Sequence, residues 1–219
     1  MEKFGLTGYP IAHSQSPALF AEAYGGQWEY DLIEEETFEQ AFGRFVEGPY
    51  RAVNVTAPFK TEAYLRADVR SAGCEKTRAA NILVKTPEGI AAHNSDYLAV
   101  RSILRDCSAT DVAVIGCGGA GRAAIEAAKD LGLSVRSFHH DEIASGVRSD
   151  VIVYTLPSAV EGMDRLDCRI LLEANYKDPC LGSHPGYIPG TEWLRRQAAL
   201  GFPLMTGRAI NFFPAESLK

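Results

Sequence analysis

The sequence predicts a two-domain α/β protein: an N-terminal α/β unit, then a shortened Rossmann-type unit, with a cleft between them. Three observations carry this. Strand and helix signals alternate at close spacing from Lys3 to His93, a second alternation starts near Tyr97, and a glycine-rich loop, Gly116-Cys-Gly-Gly-Ala-Gly-Arg122, follows directly on a strand-like run.

The elements follow in order. Lys3–Thr7 reads as a short strand, and Ser16–Tyr24 as a helix with Pro17 in its first turn, where a missing N–H is harmless. Trp28–Ile33 is a second strand. Thr37–Val46 is a helix capped by Thr37, with Phe38, Ala41, Phe42 and Phe45 on one face. Ala52–Val55 is a third strand, and Asn81–Lys85 and Ile90–His93 flank Thr-Pro-Glu-Gly, a hairpin signal. Strands separated by helices point to a mainly parallel sheet. In the second stretch a helix runs from Tyr97 to about Cys107, and Val112–Ile115 is a buried strand. The run Ala123–Leu131 is helical and stops at Gly132, and Val135–Phe138 is the next strand. Val151–Thr155 and Ile170–Glu173 are later strands, Thr191–Leu200 is a helix, and Ala209–Lys219 forms a last turn or two.

Composition narrows the function class. The 219 residues are 46% hydrophobic and 23% charged, ordinary globular proportions. A formal net charge of -6 argues against a partner bound mainly through its phosphate backbone. No apolar run reaches the ~20 residues that span a bilayer, and the N-terminus lacks the apolar stretch of a signal peptide. The expectation is an intracellular protein without nucleic-acid or membrane partners. Cys74, Cys107, Cys117, Cys168 and Cys180 are odd in number and scattered, which fits reduced thiols better than disulfides or structural zinc.

The loop Gly116, Cys117, Gly118, Gly119, Ala120, Gly121 has the context of a dinucleotide fingerprint. Gly116 permits the tight turn, Gly118 lets a pyrophosphate approach the backbone, and Gly121 allows close helix–strand packing. The alternative is a structural turn. At the end of the next strand, where Asp or Glu selects NAD and Arg selects NADP, stands Phe138-His139-His140-Asp141, which meets neither rule.

Polar residues of the first half cluster after strands. Ser14 and Ser16 lie before a helix and can hold a carboxylate, or Ser16 can simply cap that helix, while His13 reads as a structural hydrogen-bonding residue. Asn54-Val-Thr-Ala-Pro-Phe-Lys60 leaves a strand where α/β folds bind ligands, and Lys60 is its one cation. Lys60 is otherwise a surface lysine. Asp96, in Asn94-Ser-Asp-Tyr97, is a helix N-cap or a cleft carboxylate that orients a lysine for proton transfer.

In this order, Gly8-x-Pro-Ile-x-His-Ser-x-Ser-Pro17, Asn54-Val-Thr-x-Pro-x-Lys60, Asn94-Ser-Asp-Tyr97, Gly116-x-Gly-Gly-Ala-Gly-Arg122 and Gln197-Ala198 resemble the shikimate dehydrogenase family, over most of the chain. The resemblance implies reversible reduction of 3-dehydroshikimate to shikimate by NADPH in aromatic amino-acid biosynthesis. It implies that Ser14, Ser16 and Tyr176 hold the substrate carboxylate. Thr56, Asn81, Lys60 and Asp96 then hydrogen-bond the ring hydroxyls, and Gln197 reaches in from the late helix. Lys60 and Asp96 match the family's catalytic pair. The glycine loop, His139, His140, Ala174 and Gly190 are the implied cofactor contacts, and no metal is implied. The implied domains are 1–95, with 190–219 returning, for substrate and 96–189 for NADP, in a cytoplasmic monomer or homodimer.

The chain also departs from the family. The arginine-bearing motif after the second Rossmann strand is replaced by His139-His140-Asp141, and only one short element fits between Asp141 and Val151. The segment Thr155–Met163 carries extra residues, and Glu173 and Ala99 stand where an aspartate and a glycine are expected. Two alternatives therefore stay open: a quinate/shikimate dehydrogenase or NAD-preferring paralogue, and a non-catalytic binder of shikimate-type ligands.

Overall fold

A computed structural model describes residues 2–210, which form two compact units: residues 2–95 with 196–210, and residues 96–195. No helix among the described residues is long and apolar enough to cross a membrane.

The first unit is built from β1 (Lys3–Gly8), α1 (Ser16–Tyr24), β2 (Tyr30–Glu34), α2 (Phe38–Glu47), β3 (Tyr50–Val55), α3 (Lys60–Arg66), β4 (Val69–Arg70), α4 (Ala72–Thr77), β5 (Ile82–Thr86) and β6 (Gly89–His93). The strands form one sheet in the order β2-β1-β3-β5-β6-β4. The sheet is mainly parallel, as expected, with antiparallel pairing only at β5. β1 runs parallel to β2 and β3, but β5 is antiparallel to both β3 and β6. The β5–β6 pair is the expected hairpin, because a connection this short can only join antiparallel strands.

Each face of the sheet carries its own core. On one, Thr37 caps α2 by accepting the Gln40 N–H, which aims Phe38, Ala41, Phe42 and Phe45 at Val53, Val55 and Leu83. On the other, Phe4, Phe20 and Tyr24 pack with Phe202 and Met205 of α7 (Gly190–Thr206). That helix outruns its expected end at Leu200. At Gly201 a Cβ would come within 2.8 Å of Ile82 Cδ1 and Ser95 Oγ, so glycine serves close helix–sheet packing there rather than termination. Burial of Phe202 and Met205 then carries the helix through Pro203 to Thr206. Ala209 and Ile210 lie in no helix, and the rest of the expected last turn, 211–219, falls outside the described residues.

The second unit begins in α5 (Ser95–Asp106) and continues through β7 (Asp111–Ile115), α6 (Gly119–Asp130), β8 (Ser134–Phe138), β9 (Val147–Arg148), β10 (Val151–Tyr154), β11 (Leu166–Asp167), β12 (Ile170–Glu173) and β13 (Tyr187–Ile188) to the start of α7. Five strands form a wholly parallel sheet in the order β13-β12-β10-β7-β8. Compared with the doubly wound order 3-2-1-4-5-6, β8, β7, β10, β12 and β13 take positions 2, 1, 4, 5 and 6. No described strand takes position 3. After β8 the chain instead makes β9, which pairs with β11 in a separate two-stranded ribbon. β8 is therefore an edge strand, with Ser134, Arg136 and Ser137 exposed. Its mid-strand Arg136 donates to the Arg148 carbonyl and stacks on Phe138, a charged guard for an open edge.

Candidate functional site

In the first unit, backbone bonds bring three loops to the carboxyl ends of β1 and β3. Thr56 N–H donates to Thr7 O, Val55 N–H to Asn81 O, and Ala80 N–H to Lys60 O, each at 2.8 Å. Tyr9 N–H reaches Ala57 O at 3.1 Å. Thr56 and Lys60, from one segment, are thereby fixed as neighbours of Asn81, from another. Lys60 is the first residue of α3 and is half-buried.

Ser14 and Ser16 sit at the start of α1. Ser14 Oγ accepts the Ser16 N–H and donates to Ser16 Oγ, both at 3.2 Å. Ser16 is the first helical residue and Gln15 takes the cap position, so the simple capping role for Ser16 does not hold. His13 is exposed. From Ser16 a polar chain continues inward. The Tyr30 hydroxyl meets Ser16 and donates to Asn54 Oδ1 at 2.8 Å, and Asn54 Nδ2 donates to Asn81 O at 3.3 Å. Burial raises the Tyr30 phenol well above its ordinary value, which keeps it a donor.

Asn81, only 3% exposed, is the hub of this cluster. Its Oδ1 accepts the Ser95 N–H at 2.8 Å, and its Nδ2 donates to Ser95 Oγ at 2.9 Å and Gln197 Oε1 at 3.3 Å. Asn94 is held in turn by Thr77 Oγ1 and the Ala79 carbonyl. The first unit thus joins Ser14, Ser16, Asn81 and Gln197 through Tyr30, Asn54 and Ser95, three residues the sequence reading did not select. Ser95 could have been noticed, since it stands inside Asn-Ser-Asp. Tyr30 carried no signal, because an aromatic in a strand reads as core. A chain of hydroxyls and amides with little formal charge suits a polyhydroxylated ligand, since each group both donates and accepts.

In the second unit, Asp96 lies in the first turn of α5, one residue past the helix start, so it is not the N-cap. Tyr176 is half-buried, and burial raises its phenol, with the negative charge of Asp96 adding to the effect. Those two expected site residues therefore face one another electrostatically. Ala174 donates its N–H to Tyr154 O at 2.8 Å. At Gly190 a Cβ would stand 2.6 Å from the Ala174 carbonyl oxygen, which fixes the start of α7 against the end of β12.

The glycine loop fits a pyrophosphate. Gly116 has φ +96°, open only to glycine at low cost, and its N–H is held by Phe138 O at 2.9 Å. A Cβ at Gly121 would lie 1.9 Å from Gly116 O, whereas one at Gly118 would meet nothing within 4 Å. Gly118 caps α6 without any side-chain bond, which leaves the helix start facing open space, the arrangement an anion requires. At the end of β8, His139 and His140 are exposed, and Glu142 takes the His139 N–H at 2.5 Å.

Among the described residues no group of three or more His, Cys, Asp or Glu is placed to hold a metal ion, and all five cysteines are free thiols.

Comparison with known proteins shows what the chain is similar to. Residues 6–83 match the family model described as "Shikimate dehydrogenase substrate binding domain". The chain is 35% identical over 132 residues to shikimate dehydrogenase (NADP(+)) of Methylococcus capsulatus, a stretch covering 55% of this chain and 47% of that protein. It is 29% identical over 228 residues to shikimate dehydrogenase (NADP(+)) of Methylobacillus flagellatus, covering 97% of this chain and 83% of the relative. The chain thus spans about half the length of the first of these relatives. The crystal structure of Mycobacterium tuberculosis shikimate dehydrogenase matches with a TM-score of 0.74 at 26% identity, over 100% of this chain and 97% of that one.

Proposed function

We propose that the chain is a member of the shikimate dehydrogenase family and that it catalyses the reversible NADPH-dependent reduction of 3-dehydroshikimate to shikimate. The observation that carries this reading is the Asn81 hub with Lys60 and Thr56 fixed beside it, which lies in and next to the matched segment 6–83.

The roles follow from the chemistry of the groups. Ser14, Ser16 and Tyr176 hold the ring carboxylate, while Thr56, Asn81 and Gln197 take ring hydroxyls. Bound NADPH supplies the hydride. Lys60 donates a proton to the carbonyl oxygen as negative charge builds there, and accepts it in the reverse direction, with Asp96 holding the hydroxyl and the ammonium in register. Gly116 to Gly121 would receive the pyrophosphate, Ala174 and Gly190 would line the nicotinamide end, and His139 and His140 would meet a 2′-phosphate. The protein works in the cytoplasm as a monomer or homodimer.

Purified protein given shikimate should reduce NADP+, and Lys60→Ala should lower kcat by roughly 10²–10⁴-fold with a smaller change in KM. Wild-type turnover in that variant would remove Lys60 from the chemistry. A second reading, use of NAD, is favoured by one observation: Arg136 bonds to the Arg148 carbonyl, and Glu142 places a carboxylate at the end of β8. Parallel assays with NADP+ and NAD+ decide between them, and substrate binding with no turnover on either would leave the ligand-binder alternative standing.

A further inference from the structure

Glu173 is a fully buried carboxylate that the proposed chemistry does not use. It ends β12 with 0% exposure, where an unpaired carboxylate is very costly. The structure surrounds it with donors. Cys180 N–H reaches Oε1 at 2.8 Å, Leu181 N–H reaches Oε2 at 3.3 Å, Tyr187 O–H reaches Oε2 at 2.9 Å, and Cys180 Sγ lies 3.2 Å from Oε1. Burial, with Glu173 adding to it, pushes the Cys180 thiol up to about 11 and the Tyr187 phenol up to about 12. Both therefore stay protonated and donating.

The two backbone donors belong to the segment that leaves β12 itself. Residues 174–179 make an excursion whose exit and return meet at one carboxylate. Asn175 stiffens its interior. Its Oδ1 accepts the N–H groups of Lys177 and Asp178, and its Nδ2 donates to the carbonyls of Pro157 and Asp178. Tyr176 is the one aromatic residue of this excursion. Its neighbours Lys177, Asp178 and Pro179 are exposed, while Tyr176 is half-buried and feels the Asp96 charge.

We propose that Glu173 is a positioning residue that clamps this loop and so holds the Tyr176 hydroxyl where it meets the substrate carboxylate. This rests on the proposed shikimate reading of the same site. The clamp needs an acceptor for two converging N–H groups and a phenol, and both carboxylate oxygens provide it. An amide of equal size has one acceptor oxygen and turns two donors toward those N–H groups.

Glu173→Gln should raise KM for shikimate about tenfold and leave kcat within about twofold, because a displaced contact weakens binding before it weakens chemistry. NADPH affinity, read by nucleotide fluorescence, should stay within about twofold. Glu173→Asp, which keeps the charge, should recover part of the loss. The decisive comparison repeats Glu173→Gln in a Tyr176→Phe background, where no further rise in KM is expected if Glu173 acts through Tyr176. If Glu173→Gln does not fold, Tyr187→Phe removes one donor and leaves the carboxylate held by the loop. It should raise KM about threefold, again only when Tyr176 is present. Equal rises in both backgrounds, or an equal loss of NADPH affinity, would overturn the positioning role while the dehydrogenase reading stands. Absence of turnover in the wild type would instead sink the dehydrogenase reading.

Discussion

Replacing Gly118 and Gly121 in turn by alanine separates two jobs of the glycine loop. A Cβ at Gly121 would lie 1.9 Å from Gly116 O and 2.8 Å from Gly116 C. Both are backbone atoms of a turn at φ +96°, so no side chain can swing away. Restoring ordinary contact requires the helix start and the turn to part by about 1.5 Å. Forced overpacking of this kind costs about 1–3 kcal/mol, which lowers Tm by about 4–8 °C near the middle of that range. Dinucleotide affinity should fall about 100-fold as well, since the anion seat is displaced. Gly118 is the reverse case. Its φ of -71° suits any residue, and a Cβ there meets nothing within 4 Å. Gly118→Ala should shift Tm by only about 1–2 °C, yet still weaken NADPH binding about tenfold or more by filling the space a phosphate must enter. Thermal unfolding and NADPH fluorescence titration read the two effects separately. Wild-type NADPH affinity in Gly118→Ala would refute the pyrophosphate seat, and an unchanged Tm in Gly121→Ala would refute the close packing.

Two further outcomes follow from the first unit. Phe45, 1% exposed between α2 and the sheet, should cost about 3–5 kcal/mol when replaced by alanine, measured by urea unfolding. His93 at the end of β6 is pushed down by burial from its ordinary 6.5, so the unfolded chain binds a proton more readily than the folded one. Its contribution to stability is present above pH 6.5 and is lost as pH falls through the folded value. His93→Gln should flatten the acid-side slope of stability, and an unchanged slope would show that other groups set it.

Local signals made much of this fold legible. Pro17, the Thr37 cap and the Thr-Pro-Glu-Gly turn each specify an element within a few residues, and α1 and β12 begin and end where the pattern places them. The short α3 and α4 escaped because helices of seven and six residues bury too few side chains to show a period: Ala63 and Tyr64 in one, Cys74 and Thr77 in the other. The helix expected to end at Leu200 runs on past Gly201 and Pro203 because stop signals yield to burial when a helix is tightly packed. In the site, the residues with recognisable spacing were the ones found. Tyr30, Asn54 and Ser95 act by linking those residues to one another, and that depends on which segments meet in space. Glu173 was visible only as a departure, and its four donors come from residues seven to fourteen positions away.

The unfilled third position of the parallel sheet bears on how small a nucleotide-binding unit can become. In a doubly wound sheet the ligand crevice opens where the winding reverses, between β7 and β10 in this chain. β10 is buried along its whole length, and β7 everywhere but at Asp111. The strand given up would have lain beyond β8, on the far side from that crevice. Economy has therefore been taken from the margin beside the strand whose end meets the ribose, with the reversal point kept whole. For protein engineering this makes residues 96–195 a trimmed scaffold in which a strand could be added at the β8 edge to ask what that margin contributes to telling one adenosine ribose from another.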